Sequence, residues 1–207
     1  MSDKIKLTVI GGGPGGYAAA FLAADLGMDV ILIDLDKNPG GVCLYRGCIP
    51  SKALLHVAKL LNETEEAKNW GIEFQKPNID LDKLRDWKNK VVDKLTSGVG
   101  SVAKFRKVNY IQGTATFKNS TTLIVDKKDL PAGKAGSGKE EMTFDKILIS
   151  TGSRIASIPS LNIVSKRLLN STSALDLPAI PNSLLVIGGG YIGLELGSVY
   201  QALGSNV

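Results

Sequence analysis

Residues 4–34 read KIKLTVIGGGPGGYAAAFLAADLGMDVILID, and this stretch decides the fold. Lys4 to Ile10 is apolar and β-branched, as a strand buried on both faces should be, and glycine and proline fill the next six places, Gly11 to Gly16. Tyr17 to Leu26 reads as an Ala-rich helix closed by Gly27, and Asp29 to Asp34 as a second strand. Strand, glycine-rich turn, helix and strand within about 30 residues form a βαβ unit, whose crossover implies a parallel sheet. The predicted class is α/β. In Gly11-x-Gly13-x-x-Gly16 the first glycine makes the tight turn, the second admits a pyrophosphate to the backbone and the third packs helix on strand. Pro14 and Gly15 complete the loop, and the helix N-terminus is aimed at negative charge. Asp34 closes the second strand eighteen residues after Gly16, where a carboxylate accepts hydrogen bonds from an adenosine ribose.

Further along, Pro50 to about Asn62 reads as a helix. Asp80 to about Phe105 reads as a long amphipathic helix with Leu81, Leu84, Trp87, Val91 and Leu95 on one stripe. Three short strands are expected at Val108–Gln112, Thr114–Phe117 and Thr121–Val125. Met142–Ser150 reads as one more buried strand. The insert Pro131 to Glu140 reads as a loop. Its Gly133 to Lys139 run fits GxxxxGK, but Glu140 stands where a phosphate-binding loop needs Ser or Thr for Mg²⁺, and no helix is predicted to follow. Ser153 to Pro181 reads as a connecting segment. Beyond it the opening motif returns as a strand, Leu184–Ile187, the run Gly188-Gly189-Gly190-Tyr191-Ile192-Gly193, and a helix to Leu203. The chain therefore reads as one dinucleotide fold, residues 1–153, a connector, 154–182, and the start of a second such fold, 183–207.

Composition narrows the function. With 43% hydrophobic and 22% charged residues the 207-residue chain is globular rather than disordered. No apolar run approaches the roughly 20 residues that span a bilayer, and Ser2-Asp3-Lys4 leaves no room for a signal peptide before the first strand. A cytoplasmic location without a membrane partner is expected. The net charge of +5 invites a nucleic-acid reading, but only Lys104, Arg106 and Lys107 cluster tightly, with Lys166-Arg167 a smaller group. Solvated faces explain them better than a nucleic-acid surface.

The only two cysteines stand in Cys43-Leu44-Tyr45-Arg46-Gly47-Cys48. Residues five apart in an ideal helix are about 8.6 Å apart by Cα, whereas a disulfide needs roughly 4.4–6.8 Å. If the pair bridges, the turn between them must be distorted, and Gly47 supplies the freedom. A bridge over so short a loop in a reducing compartment points to catalysis rather than to a structural staple. Cys48 precedes Pro50 by two residues, near the positive end of the following helix, which favours negative charge on its sulfur. Two buried thiols remain the alternative. A metal site is not expected, since there is no third cysteine and the only histidine, His56, reads as a surface or packing residue.

The run Gly40-Gly41-Val42-Cys43-Leu44-Tyr45-Arg46-Gly47-Cys48-Ile49-Pro50-Ser51-Lys52-Ala53-Leu54-Leu55 resembles the redox-disulfide signature of the class I pyridine nucleotide–disulfide oxidoreductases. The resemblance extends to Gly113-x-Ala115-x-Phe117, to Ile149-Ser150-Thr151-Gly152-Ser153 and to the second glycine fingerprint, and so covers essentially the whole chain. Leu44 and the Ile49–Leu55 continuation are most similar to the branch that oxidises protein-bound dihydrolipoyl groups. Mercuric reductases and other disulfide reductases are the nearer alternatives, and a non-catalytic FAD-binding module the more distant one. The resemblance implies a Rossmann-like FAD-binding domain with a three-stranded β insertion, followed by the start of an NAD-binding domain. It implies FAD along Gly11, Gly13, Pro14, Gly15, Gly16, Asp34, Gly41, Val42, Cys43, Lys52, Ala115, Thr151 and Gly152, and NAD at Gly188, Gly190 and Gly193. Cys43 would exchange with the substrate dithiol, Cys48 would face the flavin, and Lys52 would pair with Glu195. The implied partners are a lipoyl-bearing protein of a 2-oxo acid dehydrogenase or glycine cleavage complex and a second copy of the parent chain. The family's His–Glu acid–base pair, its dimerisation domain and the residue that selects NAD over NADP are expected beyond residue 207, so that these 207 residues alone would not turn over. Asp34 stands where the family more often has Glu, and Tyr45-Arg46 replaces the usual Asn-Val.

Overall fold

Alternation along the central strands sets the layers. The computed structural model describes residues 4–128, 138–156, 158–159 and 163–207, which fall into two compact units, Met1–Tyr45 with Lys94–Ser153, and Arg46–Asp93 with Arg154–Val207. In the first unit β1 (Lys6–Ile10) is followed by α1 (Pro14–Asp25) and β2 (Asp29–Asp34). The strands pair in parallel, Lys6 opposite Asp29 and Ile10 opposite Ile33. Val30 and Leu32 point to the face covered by Ala20 and Ala23 of α1 and by Ala103. Ile33 points to the other face, with Ile111, Leu123, Val125 and Phe144.

Six strands form one sheet in the order β5-β4-β3-β2-β1-β6. The two predicted strands 108–112 and 114–117 are a single strand, β3 (Asn109–Phe117). Its first half runs parallel to β2 and its second half antiparallel to β4 (Thr122–Lys127). The change falls at Gly113, where a Cβ would lie 2.4 Å from the Asp126 carbonyl oxygen, so only glycine lets β4 approach. The predicted strand 142–150 is in turn two strands. β5 (Lys139–Thr143) completes the antiparallel insertion with β3 and β4, and β6 (Lys146–Ile149) pairs in parallel with β1. Most of the predicted 131–140 loop, including the start of the GxxxxGK run, lies outside the described residues. Lys139 and Glu140 are in β5, so a strand and not a helix follows that run.

Between β2 and β3 the chain forms α2 (Gly41–Arg46), α3 (Cys48–Glu66), a 3₁₀ turn (Ala67–Trp70) and α4 (Leu81–Phe105). The α4 stripe expected from hydropathy is rotated. Trp87 and Leu95 are exposed, whereas Lys88, Val92, Thr96, Gly100 and Ala103 are buried, one turn apart. Polar residues sit on the buried face because they find partners. In the second unit Lys88 Nζ donates to the Leu175 carbonyl (2.8 Å) and Arg85 to that of Leu177 (2.9 Å), capping the end of α5 (Ser171–Leu175). Asn170 and Ser173 close the other end of α5 with a capping box.

The second unit is built on α3 against α6 (Tyr191–Ala202). Leu54 and Ala58 join Leu196, Val199, Tyr200 and Leu203, with Leu175 and Leu177, in one apolar cluster. The predicted strand 184–187 is not formed. Among the described residues a single parallel bridge, Ser183 to Asn206, flanks the run, and Leu185 is 85% exposed.

Candidate functional site

In the first unit the glycine loop sits at the carboxyl ends of β1 and β6, between the helix-connected pair β1–β2 and the returning β6, the position where an open α/β sheet forms its ligand crevice. Gly11 has φ +102°, and a Cβ there would overlap the Ser150 carbonyl oxygen at 2.0 Å. At Gly16 a Cβ would lie 1.7 Å from the Gly11 carbonyl oxygen, which ties helix to strand through backbone alone. Gly13 is the N-cap of α1, Pro14 its first residue, and neither a side-chain cap nor an acidic residue occupies that end. Gly15 faces the Ser150 hydroxyl, and Thr151 and Gly152 follow in an exposed turn with Gly152 at φ +74°.

The cysteine segment begins on this loop. The Gly40 N–H donates to the Gly12 carbonyl (2.7 Å), and Gly41, at φ +59°, approaches Gly13 so closely that a Cβ would lie 2.5 Å from the Gly13 Cα. Exposed Val42 and partly buried Cys43 follow directly on α2. The Asp34 carboxylate accepts the Gly12 N–H (2.5 Å) and the Asp36 N–H (3.0 Å), so the predicted ribose ligand also braces the loop that precedes the cysteines. Tyr45 adds a second brace, its hydroxyl donating to the Asn38 carbonyl and accepting the Asn38 N–H, each at 3.1 Å. The Tyr110 hydroxyl donates to the Asp36 carbonyl (2.7 Å), and burial, with the Asp34 charge nearby, pushes this phenol well up. Ala115 lies on the antiparallel half of β3, opposite Val125, and packs against the Ile111–Leu123–Val125 cluster.

Gly47 separates the helices at φ −148°, ψ −114°, outside the helical region. Cys48 is the first residue of α3 and exposed, and no disulfide joins it to Cys43 in this structure. In the second unit Lys52 follows Cys48 by one helical turn, and its ammonium donates to Glu195 Oε1 of α6 at 2.5 Å. Ser51, 6% exposed, donates its hydroxyl to Glu195 Oε2 at 2.6 Å. The Lys52 and Ser51 hydrogen bonds hold the Glu195 carboxyl below the usual range, and Glu195 in turn holds Lys52 above its own. Lys52 and Glu195 thus pair as expected. Ser51 was visible in the sequence only as part of the cysteine motif; the signal that would have revealed it is its helical position beside Lys52, facing the apolar α3 surface that meets α6. His56 is exposed, as its surface reading requires.

The second fingerprint repeats the first. Gly188 has φ +106°, Gly190 is the uncapped N-cap of α6, and a Cβ at Gly193 would lie 2.6 Å from the Gly188 carbonyl oxygen. Both loops end in a glycine N-cap with no side-chain cap, Gly13 on α1 and Gly190 on α6, the helix N-terminus that suits a dinucleotide pyrophosphate.

A family model described as pyridine nucleotide-disulphide oxidoreductase matches residues 5–207, and the chain belongs to this family. It is 45% identical over its whole length to a dihydrolipoyl dehydrogenase of Vibrio cholerae, 46% to one of Haemophilus influenzae and 43% to one of Haloferax volcanii. It spans about 42% of the length of these relatives. Among solved structures it is similar to the HOCl-induced flavoprotein disulfide reductase RclA from Escherichia coli, with a TM-score of 0.76 and 28% identity over 97% of this chain and 40% of that one. Membership implies FAD and NAD(H) as cofactors. Among the described residues no helix is long and apolar enough to cross a membrane.

Proposed function

We propose that this chain supplies the flavin- and cysteine-bearing part of an enzyme that oxidises a protein-bound dihydrolipoyl group to its disulfide and reduces NAD⁺. The observation that carries this reading is the backbone contact of Gly41 with Gly13, which starts the cysteine segment on the dinucleotide loop. Residues 1–153 are then the first segment of an FAD-binding domain, 154–182 a connector and 183–207 the start of an NAD-binding domain. FAD lies along Gly11, Gly13, Pro14, Gly15 and Gly16, with Asp34 at its ribose and Gly41, Val42, Cys43, Lys52, Ala115, Thr151 and Gly152 beside it. Gly188, Gly190 and Gly193 hold the NAD pyrophosphate.

Cys43 exchanges with the substrate dithiol. Starting from the oxidised pair, the Cys43–Cys48 bond breaks, a substrate–Cys43 bond forms, and the second substrate thiol displaces Cys43, so the substrate leaves as a cyclic disulfide and the cysteine pair gains two electrons and two protons. The FAD that the Gly11–Gly16 loop and Asp34 would hold would supply the two-electron chemistry that joins the cysteine pair to NAD⁺, the pair's two electrons and one proton leaving as the hydride of NADH and the other proton going to solvent. Cys48 is the first residue of α3, at the positive end of that helix, and the Lys52 ammonium, held above its ordinary range by Glu195, stands one turn away. The partners are a lipoyl-bearing protein of a 2-oxo acid dehydrogenase or glycine cleavage complex and a second copy of the parent chain, in the cytoplasm.

The test mixes the FAD-loaded protein that carries these residues with dihydrolipoamide and NAD⁺ and follows NADH absorbance. NADH formation that is lost in Cys43→Ser and in Cys48→Ser supports the reading. Reduction of mercuric ion or glutathione disulfide without any dihydrolipoamide-dependent NADH would assign the site to another branch of the family.

A further inference from the structure

We propose that Ser51 is a positioning residue, whose hydroxyl holds the Glu195 carboxylate in the orientation that keeps the Lys52 ammonium fixed on the face of α3 that begins at Cys48. The inference deepens the functional reading above and rests on its placement of Cys48, Lys52 and Glu195. Lys52 is 59% exposed and Glu195 26%, and an ion pair so open to water contributes little and leaves both side chains free to reorient. Ser51 is different. It is buried on α3, and its bond to the Glu195 carboxylate of α6 is charge-assisted and short.

The geometry divides Glu195 between its two partners. Oε2 accepts from Ser51 on the buried side, and Oε1 accepts from Lys52 on the open side. Because a carboxylate is planar, fixing one oxygen fixes the direction of the other. Without the Ser51 hydroxyl, Glu195 can turn about its terminal torsion and the ammonium loses its fixed acceptor. The other groups acting on Lys52 electrostatically are Cys48 and Tyr191. Through Lys52 the effect of Ser51 extends toward the Cys48 end of α3.

The test reads Lys52 directly. The FAD-loaded protein is acylated with limiting acetic anhydride, and modification of Lys52 is measured by peptide mass spectrometry relative to Lys59, an exposed lysine of the same helix. A firmly paired ammonium yields little free amine, so Lys52 reacts more slowly than Lys59 in the wild type. Ser51→Ala is expected to raise the Lys52 rate on the order of threefold, while Ser51→Thr, which keeps the hydroxyl, stays near wild type. Glu195→Gln, which leaves Ser51 in place, is expected to raise it further. An unchanged Lys52 rate in folded Ser51→Ala, or a rise in Ser51→Thr equal to that in Ser51→Ala, overturns the proposal. If Ser51→Ala does not fold, no rise in Glu195→Gln overturns it equally. The readout does not depend on dihydrolipoamide turnover, so failure of the functional reading and failure of this proposal are seen separately.

Discussion

The two glycine fingerprints, Gly11–Gly16 and Gly188–Gly193, have nearly the same backbone and quite different surroundings. The opening glycines sit at φ +102° and +106°, and the helix N-caps Gly13 and Gly190 at φ −69° and −73°. In the first, Ser150, Gly41 and Asp34 press against the loop from three later parts of the chain. In the second, a Cβ at Gly188, Gly189 or Gly190 would meet nothing within 4 Å. The local spacing of glycines therefore dictates the turn, and neighbouring strands and loops dictate how tightly it is enclosed.

Alanine at the enclosed glycines tests this most strongly. Gly16→Ala and Gly11→Ala are each expected to cost about 3 kcal/mol or more, from overlap with backbone oxygen, joined at Gly11 by a left-handed φ. The counterparts Gly193→Ala and Gly188→Ala should cost about 1–2 kcal/mol, because contact is looser at the first and absent at the second. Denaturant midpoints of the four variants decide, and equal losses at Gly11 and Gly188 would break the comparison. Gly41→Ala comes next. It wedges the cysteine segment away from Gly13 and should weaken FAD retention roughly tenfold, about 1.4 kcal/mol, as read by flavin release on dilution.

Gly190→Ala sharpens the comparison from the other side. Its new Cβ is unopposed, so stability should stay within about 0.5 kcal/mol of wild type, while on the proposed placement of NAD the methyl group meets the pyrophosphate and NADH binding should weaken. Equilibrium dialysis against NADH, beside a melting curve, separates the two effects. The smallest effect is in pH. Glu195 is held below its ordinary value of 4.5, so its contribution to the α3–α6 contact is complete above that pH and is lost as pH falls through the lowered value. Lys52 is held above 10.5, so its contribution is complete below that pH and is lost as pH rises through the raised value. A shallow stability plateau between these limits is expected, with its acid edge absent in Glu195→Gln.

The glycine loops, the βαβ opening, the cysteine segment and the Lys52–Glu195 pair were legible because each rests on local spacing or on a motif. What was not legible depended on partners distant in the chain. The α4 stripe read from Leu81, Leu84, Trp87, Val91 and Leu95 is displaced because Lys88 and Thr96 are buried, and hydropathy has no means of knowing that the Leu175 carbonyl waits for Lys88. The bend that makes one strand of 108–117 depends on the approach of Asp126 to Gly113. The split of 142–150 into β5 and β6 depends on two different neighbours, β4 and β1. Residues 184–187 read as a strand by composition, yet a parallel strand exists only where a partner runs beside it, and here the pairing has one rung. Ser51 was hidden for the same reason, since its role is defined by Glu195, 144 residues away.

As proposed, Cys43 and Cys48 form a redox couple in electronic contact with a flavin. The most direct measurement is the visible spectrum of the FAD-loaded protein before and after anaerobic addition of one equivalent of dihydrolipoamide. A new long-wavelength thiolate–flavin band that is absent in Cys48→Ser is expected. A flavin spectrum that bleaches without that band, or that does not respond to the dithiol at all, would contradict it.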